Sequence, residues 1–115
     1  MDTDLIQRCL DEQSIISASK LLAAMENPKR LAILRILVDA EIPVGELAHR
    51  VGLSQSALSQ HLAKLRNANV VQTRREAQVI YYFSHSDAVR RILATLEAIF
   101  REQPPVSPAA APSGR

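Results

Sequence analysis

Between Ser54 and Arg66 the chain reads SQSALSQHLAKLR, a polar stretch without a single carboxylate. Gln55, Ser56, Ser59 and Gln60 are neutral donors and acceptors, Lys64 adds one positive charge, and Ser54 and His61 complete the polar set. These groups suit the edges of DNA bases. Gln can bond adenine N6 and N7 as a bidentate pair, and Ser can pair with several base edges or with phosphate. Base edges are neutral hydrogen-bonding groups beneath an anionic backbone, so a helix that reads them needs neutral partners and should avoid acids. An ordinary solvent-facing helix carries Glu and Lys freely, because both are good helix formers and pair at i,i+4. One Ser or Gln would mean little; the set points to nucleic acid.

The charge distribution agrees. The net charge of +2 decides nothing, but the first 28 residues hold Asp2, Asp4, Asp11, Glu12 and Glu26 against only Arg8 and Lys20. From Leu47 to Arg75 there is no acid, while Arg50, Lys64, Arg66, Arg74 and Arg75 are basic. An acid-free basic middle suggests a surface for a polyanion. Lys29 and Arg30 begin a helix, where free N–H groups favour anions, so they are candidate phosphate contacts; an ordinary solvated helix start fits them equally well. For Arg74 and Arg75 the lesser alternative is a pair of simple gatekeepers on a hairpin edge.

The elements that must position these residues follow from periodicity. Apolar residues from Leu5 to Met25 recur at helical intervals, with Ser14 and Ser17 as possible interruptions. Asn27 as N-cap and Pro28 at the first helical position open the next helix. Pro43 introduces a short helix, VGELAHRV, which Gly52 can end in a left-handed cap. Ser54 caps the helix that follows. On that helix Leu58, Leu62 and Leu65 fall at i, i+4 and i+7 with Ala57 beside them, so they face a core. After Asn69 the period changes to VVQTRREAQVIYYFS, rich in β-branched and aromatic residues and read as an antiparallel hairpin around Arg75–Gln78. From Asp87 the helical period returns, and Val89, Ile92, Leu93, Leu96, Ile99 and Phe100 form a wide apolar stripe.

The predicted fold is therefore mainly α with one β-hairpin, ordered helix, helix, helix, helix, hairpin, helix. The third and fourth helices make a helix-turn-helix and the hairpin supplies a wing. Residues 1–102 are expected to form one DNA-binding and dimerisation domain. The remaining 103–115, with four prolines in QPPVSPAAAPSGR, should be a disordered tail. No apolar run approaches the roughly 18 residues that a membrane span needs, and no signal peptide is evident at the start. One cysteine, Cys9, excludes a disulfide framework, so a cytoplasmic protein is expected.

NPKRLAIL, VGELAHRVGLSQSALSQHLAKLR and VVQTRREAQVIYYF resemble the ArsR/SmtB family of winged-helix repressors over about residues 18 to 100. The resemblance implies a homodimeric repressor without a catalytic role. Gln55, Ser56, Ser59, Gln60 and His61 would enter the major groove, and Arg74, Arg75 and Gln78 of the wing would approach the minor groove or backbone. Dimerisation through the first and last helices, by Leu5, Ile6, Cys9 and Leu10 and by the Val89 to Phe100 stripe, would place two reading helices about 34 Å apart on a pseudo-palindrome.

Many members of the family sense metals or oxidants. The thiolate pair used by some would lie on GELAHRV, which has no cysteine. The alternative site on the last helix offers only His85 and Asp87, too few for zinc. No metal or other cofactor is expected. Cys9 is either a small buried hydrophobe or the partner of a second Cys9 across a dimer. His61 is either packed or bonded to phosphate, and His49 and His85 should face solvent. An effector-released sensor and a protein-interaction module are the competing readings. No Ser-His-Asp set, phosphate loop or carboxylate pair suggests an enzyme.

Overall fold

The computed structural model describes residues 11–102. Leu5, Ile6, Cys9 and Leu10, and the tail from 103 to 115, lie outside the described residues. The elements in chain order are α1 (Glu12–Met25), α2 (Pro28–Leu37), β1 (Ile42–Pro43), α3 (Val44–Val51), α4 (Gln55–Asn67), β2 (Gln72–Glu76), β3 (Val79–Phe83) and α5 (Asp87–Glu102). No described helix is long and apolar enough to cross a membrane.

Four of the five described helices start where a side chain can satisfy free N–H groups, and α3, which follows Pro43, has no side-chain cap. Asp11 caps α1 by accepting from Ser14 N at 2.7 Å, and the helix then runs through Ser14 and Ser17 without interruption. Asn27 Oδ1 accepts from the backbone N of Lys29 and Arg30 at 2.8 and 3.1 Å, with Pro28 in the first turn. Ser54 Oγ accepts from Ala57 N at 3.1 Å. Ser86 Oγ does the same for Val89 N at 3.1 Å, at the start of α5.

The turn between α3 and α4 fixes their relative direction. Gly52 has φ 70° and ψ 42°, the left-handed region that a side chain makes costly by about 1–2 kcal/mol. Leu53 N donates to Ala48 O at 3.0 Å and Gly52 N to His49 O at 3.3 Å, a Schellman closure that satisfies the last carbonyls of α3. Lys29 Nζ donates to Val51 O at 2.6 Å, so α2 holds this turn from outside.

β3 lies between β1 and β2, and both pairings are antiparallel, with Ile42 opposite Tyr82 and Thr73 opposite Tyr82 from the other side. The two-residue β1 is too short to show an alternating pattern, which is why the sequence reading gives a two-stranded wing. Pro43 sits on an edge strand, where its missing N–H is harmless. The hairpin turns through Ala77 and Gln78, and Ala77 takes φ 57°, the positive φ that two-residue loops demand.

Ile33, Leu34 and Leu37 of α2, Leu47 of α3, Leu58, Leu62 and Leu65 of α4, and Val89 of α5 are essentially inaccessible to solvent. Met25, Ile42, Val51, Val70, Val71 and Tyr82 close the core around them. Val89 is a correction: expected on a dimer stripe, it is wholly buried within its own chain. Ile92 and Leu93 are half-buried against the same core, and only Ile99 and Phe100, 43% and 53% exposed, stand free at the end of α5. Arg90 fastens α5 to the end of α2 through Asp39 at 3.2 Å and through the carbonyl of Val38.

Candidate nucleic-acid interface

The three leucines that anchor α4 leave its opposite side in solvent. Gln55, Ser56, Ser59, Gln60 and Lys64 are all exposed, and Ala57 is half-buried beside the core row, as the helical wheel predicts. The first turn of α4 contains no acid and its last turn holds Lys64 and Arg66. The helix macrodipole would favour Asp or Glu in that first turn, so their absence costs helix stability and keeps the exposed end free of negative charge. Gln55 lies across α3, where a Cβ placed on Gly45 would sit 3.6 Å from its amide nitrogen. Ser54 is exposed, but its oxygen serves as the cap.

His61 borders this face and is half-buried. Its Nδ1 lies 3.2 Å from Arg30 Nη1. Removal from water, and the positive charges of Arg30, Lys64 and Lys29, lower its pKa from the ordinary histidine value. The sign is straightforward. Below the ordinary value of 6.5 an unfolded chain takes up this proton more readily than the folded one, so the neutral ring's contribution to stability fades as pH falls through that range.

Lys29 and Arg30 are not simply the open helix start that the sequence suggests. The N–H groups there are already taken by Asn27. Arg30 is 9% exposed, and its Nε donates to Ala24 O at 2.6 Å and its Nη2 to Ala23 O at 3.4 Å. An arginine expected to reach phosphate instead points inward, because the final carbonyls of α1 offer it acceptors. Lys29 spends one donor on Val51 O and remains exposed.

In the wing, Arg74, Arg75 and Gln78 are exposed, yet the two arginines differ. Arg74 Nε meets Glu41 at 2.8 Å, its Nη1 meets Glu76 at 2.9 Å, and its guanidinium lies 4.7 Å from the centre of the Tyr81 ring. Bonds to Glu76 and Glu41 hold its pKa above the usual value. The acid-free stretch in the sequence is thus met in space by acids from either side of it. Glu41 belongs to no motif, and nothing in the sequence marks it as a partner of Arg74. Arg75, opposite Ile80, points to the other face of the strand by the period-two rule. If duplex DNA lies against the wing, Arg75→Ala should reduce the salt slope of binding, log K against log salt, by about 0.9. Arg74→Ala should change it by much less, since Arg74 already neutralises two carboxylates. Binding titrations between about 50 and 200 mM salt test this, and equal slopes for the two variants would contradict it.

His49 and His85 are exposed, with His85 tilted against Phe83 at 4.7 Å between ring centres. Among the described residues, no three His, Cys, Asp or Glu side chains come together as metal ligands would.

Residues 27–73 match the family described as "Bacterial regulatory protein, arsR family". The chain is 64% identical over 83 residues to the Nodulation protein NolR of Rhizobium meliloti, covering 72% of this chain and 68% of that protein. It is 47% identical over 89 residues to the Transcriptional activator HlyU of Vibrio cholerae, covering 77% of this chain and 82% of that one. The crystal structure of NolR from Sinorhizobium fredii superposes with a TM-score of 0.74 at 58% identity, over 76% of this chain and 88% of the other. A homodimeric winged helix-turn-helix DNA-binding domain from Mycobacterium bovis superposes with a TM-score of 0.71 at 26% identity, over 84% of this chain and 91% of the other. With this order of elements, this turn at Gly52 and this wing, the chain is a winged helix-turn-helix transcriptional regulator of the arsR family.

Proposed function

We propose that this regulator is a homodimeric repressor that reads a pseudo-palindromic operator in the cytoplasm, with one α4 in each of two successive major grooves. The observation that carries this reading is the exposed face of α4, where Gln55, Ser56, Ser59 and Gln60 offer neutral hydrogen bonds and Lys64 a cation, while Leu58, Leu62 and Leu65 lock the other side. Base contacts by the Gln and Ser set choose the sequence. Lys64, Arg75 and Lys29 supply the salt-dependent attraction that positions the protein, and Gln78 sits at the tip of the wing beside Arg75.

Dimerisation is supported by apolar surface that one chain leaves uncovered. Ile15, Ile16 and Leu22 on α1 are 53%, 42% and 55% exposed, and Ile99 and Phe100 on α5 add to them. Single exposed aliphatic residues are ordinary, but this density on the two helices flanking the reading unit favours a partner. The homodimeric M. bovis domain shares the fold.

Selection of bound sequences from random duplex DNA, followed by sedimentation of the protein alone and on the selected duplex, tests both halves. The expected result is an inverted repeat with half-sites about one helical turn apart, bound by two chains, and loss of reporter expression when the site overlaps a promoter. A single unrepeated site bound by one chain would refute the dimer, and raised expression would refute repression.

A further inference from the structure

Among the described residues, Arg30 is the one charged side chain that is buried. It joins three elements at once: the carbonyls of Ala23 and Ala24 that end α1, its own helix α2, and His61 on α4. A guanidinium has donors only. The ring nitrogen it faces must therefore carry a lone pair, and a neutral imidazole with an accepting Nδ1 carries its proton on Nε2. The charges that act on the ring are Arg30 and Lys29 from α2 and Lys64 from its own helix, all positive, while α1 contributes the main-chain carbonyls that hold Arg30. A second proton on His61 would break the bond to Arg30 and add a like charge beside it.

We infer that Arg30 is a positioning residue for DNA reading, holding His61 in the Nε2–H form so that the ring presents a neutral donor at the edge of the reading face of α4. Nδ1 is turned to the buried guanidinium, and the opposite side of the half-exposed ring carries Nε2–H. This donor stands in the same row as Ala57 and Lys64, one step around the helix from Gln60. Its acceptor on DNA is a base edge, since a phosphate oxygen would be met equally on every duplex. The inference deepens the reading of α4 as the DNA-reading helix and rests on it. It also adds a mechanical consequence: because Arg30 is anchored on α1, any shift of that helix moves the ring that α4 offers to DNA.

The test begins without DNA. A long-range proton–nitrogen NMR spectrum of the full chain should show His61 as a single Nε2–H tautomer near pH 7.5, taking up its second proton below the ordinary histidine range. A ring protonated on Nδ1, or exchanging between both forms, would overturn the assignment. Binding is then measured on the selected operator and on a scrambled duplex for His61→Ala, His61→Gln, Arg30→Met and the double variant Arg30→Met/His61→Ala. His61→Ala should lose about tenfold on the operator and almost nothing on the scrambled duplex. His61→Gln, whose amide N–H reaches about as far as Nε2, should keep most of the affinity. Arg30→Met should lose a similar factor, and the double variant no more than either single one, because both act through one donor. Losses that multiply, or equal losses in the Ala and Gln variants, would overturn the inference. Should Arg30→Met fail to fold, the wild-type spectrum and the two His61 variants decide it alone. Failure of the wild-type chain to prefer any duplex would remove the reading of α4 itself, whereas the spectrum judges the Arg30–His61 pair independently.

Discussion

Ser59→Glu is expected to abolish specific DNA binding while leaving the fold at least as stable as before. Ser59 is exposed in the middle of α4, between the Gln55–Ser56 pair and Lys64, and makes no contact that holds the domain together. Glu is a better helix former than Ser by a few tenths of a kcal/mol, so thermal unfolding should shift slightly upward or not at all. On DNA the same carboxylate would face phosphate oxygens and base acceptors, and like-charge juxtaposition at an interface costs several kcal/mol. A loss of about 3 kcal/mol is more than a hundredfold in affinity, and it should ease as salt screens the repulsion. Gln55→Ala is the natural contrast. It removes neutral groups and no charge, so it should weaken operator binding by about 1–3 kcal/mol and leave scrambled duplex nearly untouched. Titration of both variants on operator and scrambled DNA checks the pair. A Ser59→Glu protein that binds its operator normally would mean that this face of α4 does not meet DNA.

The exposed polar face of α4 was legible because one element carries two independent signals. Leucines at i, i+4 and i+7 say which side of α4 is inside, and the missing acids say what the other side avoids. Caps and turns were legible for the same local reason: Asn27, Ser54 and Gly52 each act on backbone within four residues of themselves. What could not be read are contacts that join distant segments. Arg30 follows Pro28 at a helix start and looks exposed, yet the carbonyls of Ala23 and Ala24 and the ring of His61, thirty-one residues on, draw it inward. Arg74 looks like a free cation until Glu41, thirty-three residues earlier, is seen against it. Val89 lies at a helical interval from Ile92, Leu93 and Leu96, and periodicity alone does not tell whether a wide stripe is covered by the chain itself or by a second one. The packing divides it: Val89 is fully covered by its own chain, and Phe100 remains half-exposed.

The largest expected loss of stability is for Leu62→Ala. Leu62 is 1% exposed and lies in the single row, with Leu58 and Leu65, by which α4 enters the core. Replacing a buried Leu by Ala removes its transfer free energy and leaves a cavity, together about 2–5 kcal/mol. A domain of this size has only about 5–15 kcal/mol in total, so the variant should melt at least roughly 8 °C lower and up to about 40 °C lower, taking about 4–8 °C per kcal/mol for a domain under about 100 residues. The comparison must be made at one protein concentration, because a dimer's melting point depends on it. Phe100→Ala supplies the discriminating partner to this experiment. Phe100 is 53% exposed in the single chain, so truncating it should cost the isolated chain little, well under the cost at Leu62. If the two chains associate through α1 and α5, Phe100→Ala should instead lower the melting point in a concentration-dependent way and shift sedimentation toward monomer, whereas Leu62→Ala should lower it at every concentration. Because Leu62 touches no reading residue's exposed side, whatever Leu62→Ala protein remains folded at low temperature should still prefer its operator. Loss of that preference in a fully folded Leu62→Ala sample would show that the pitch of α4 on its leucine row, and not only the chemistry of its outer face, sets the reading.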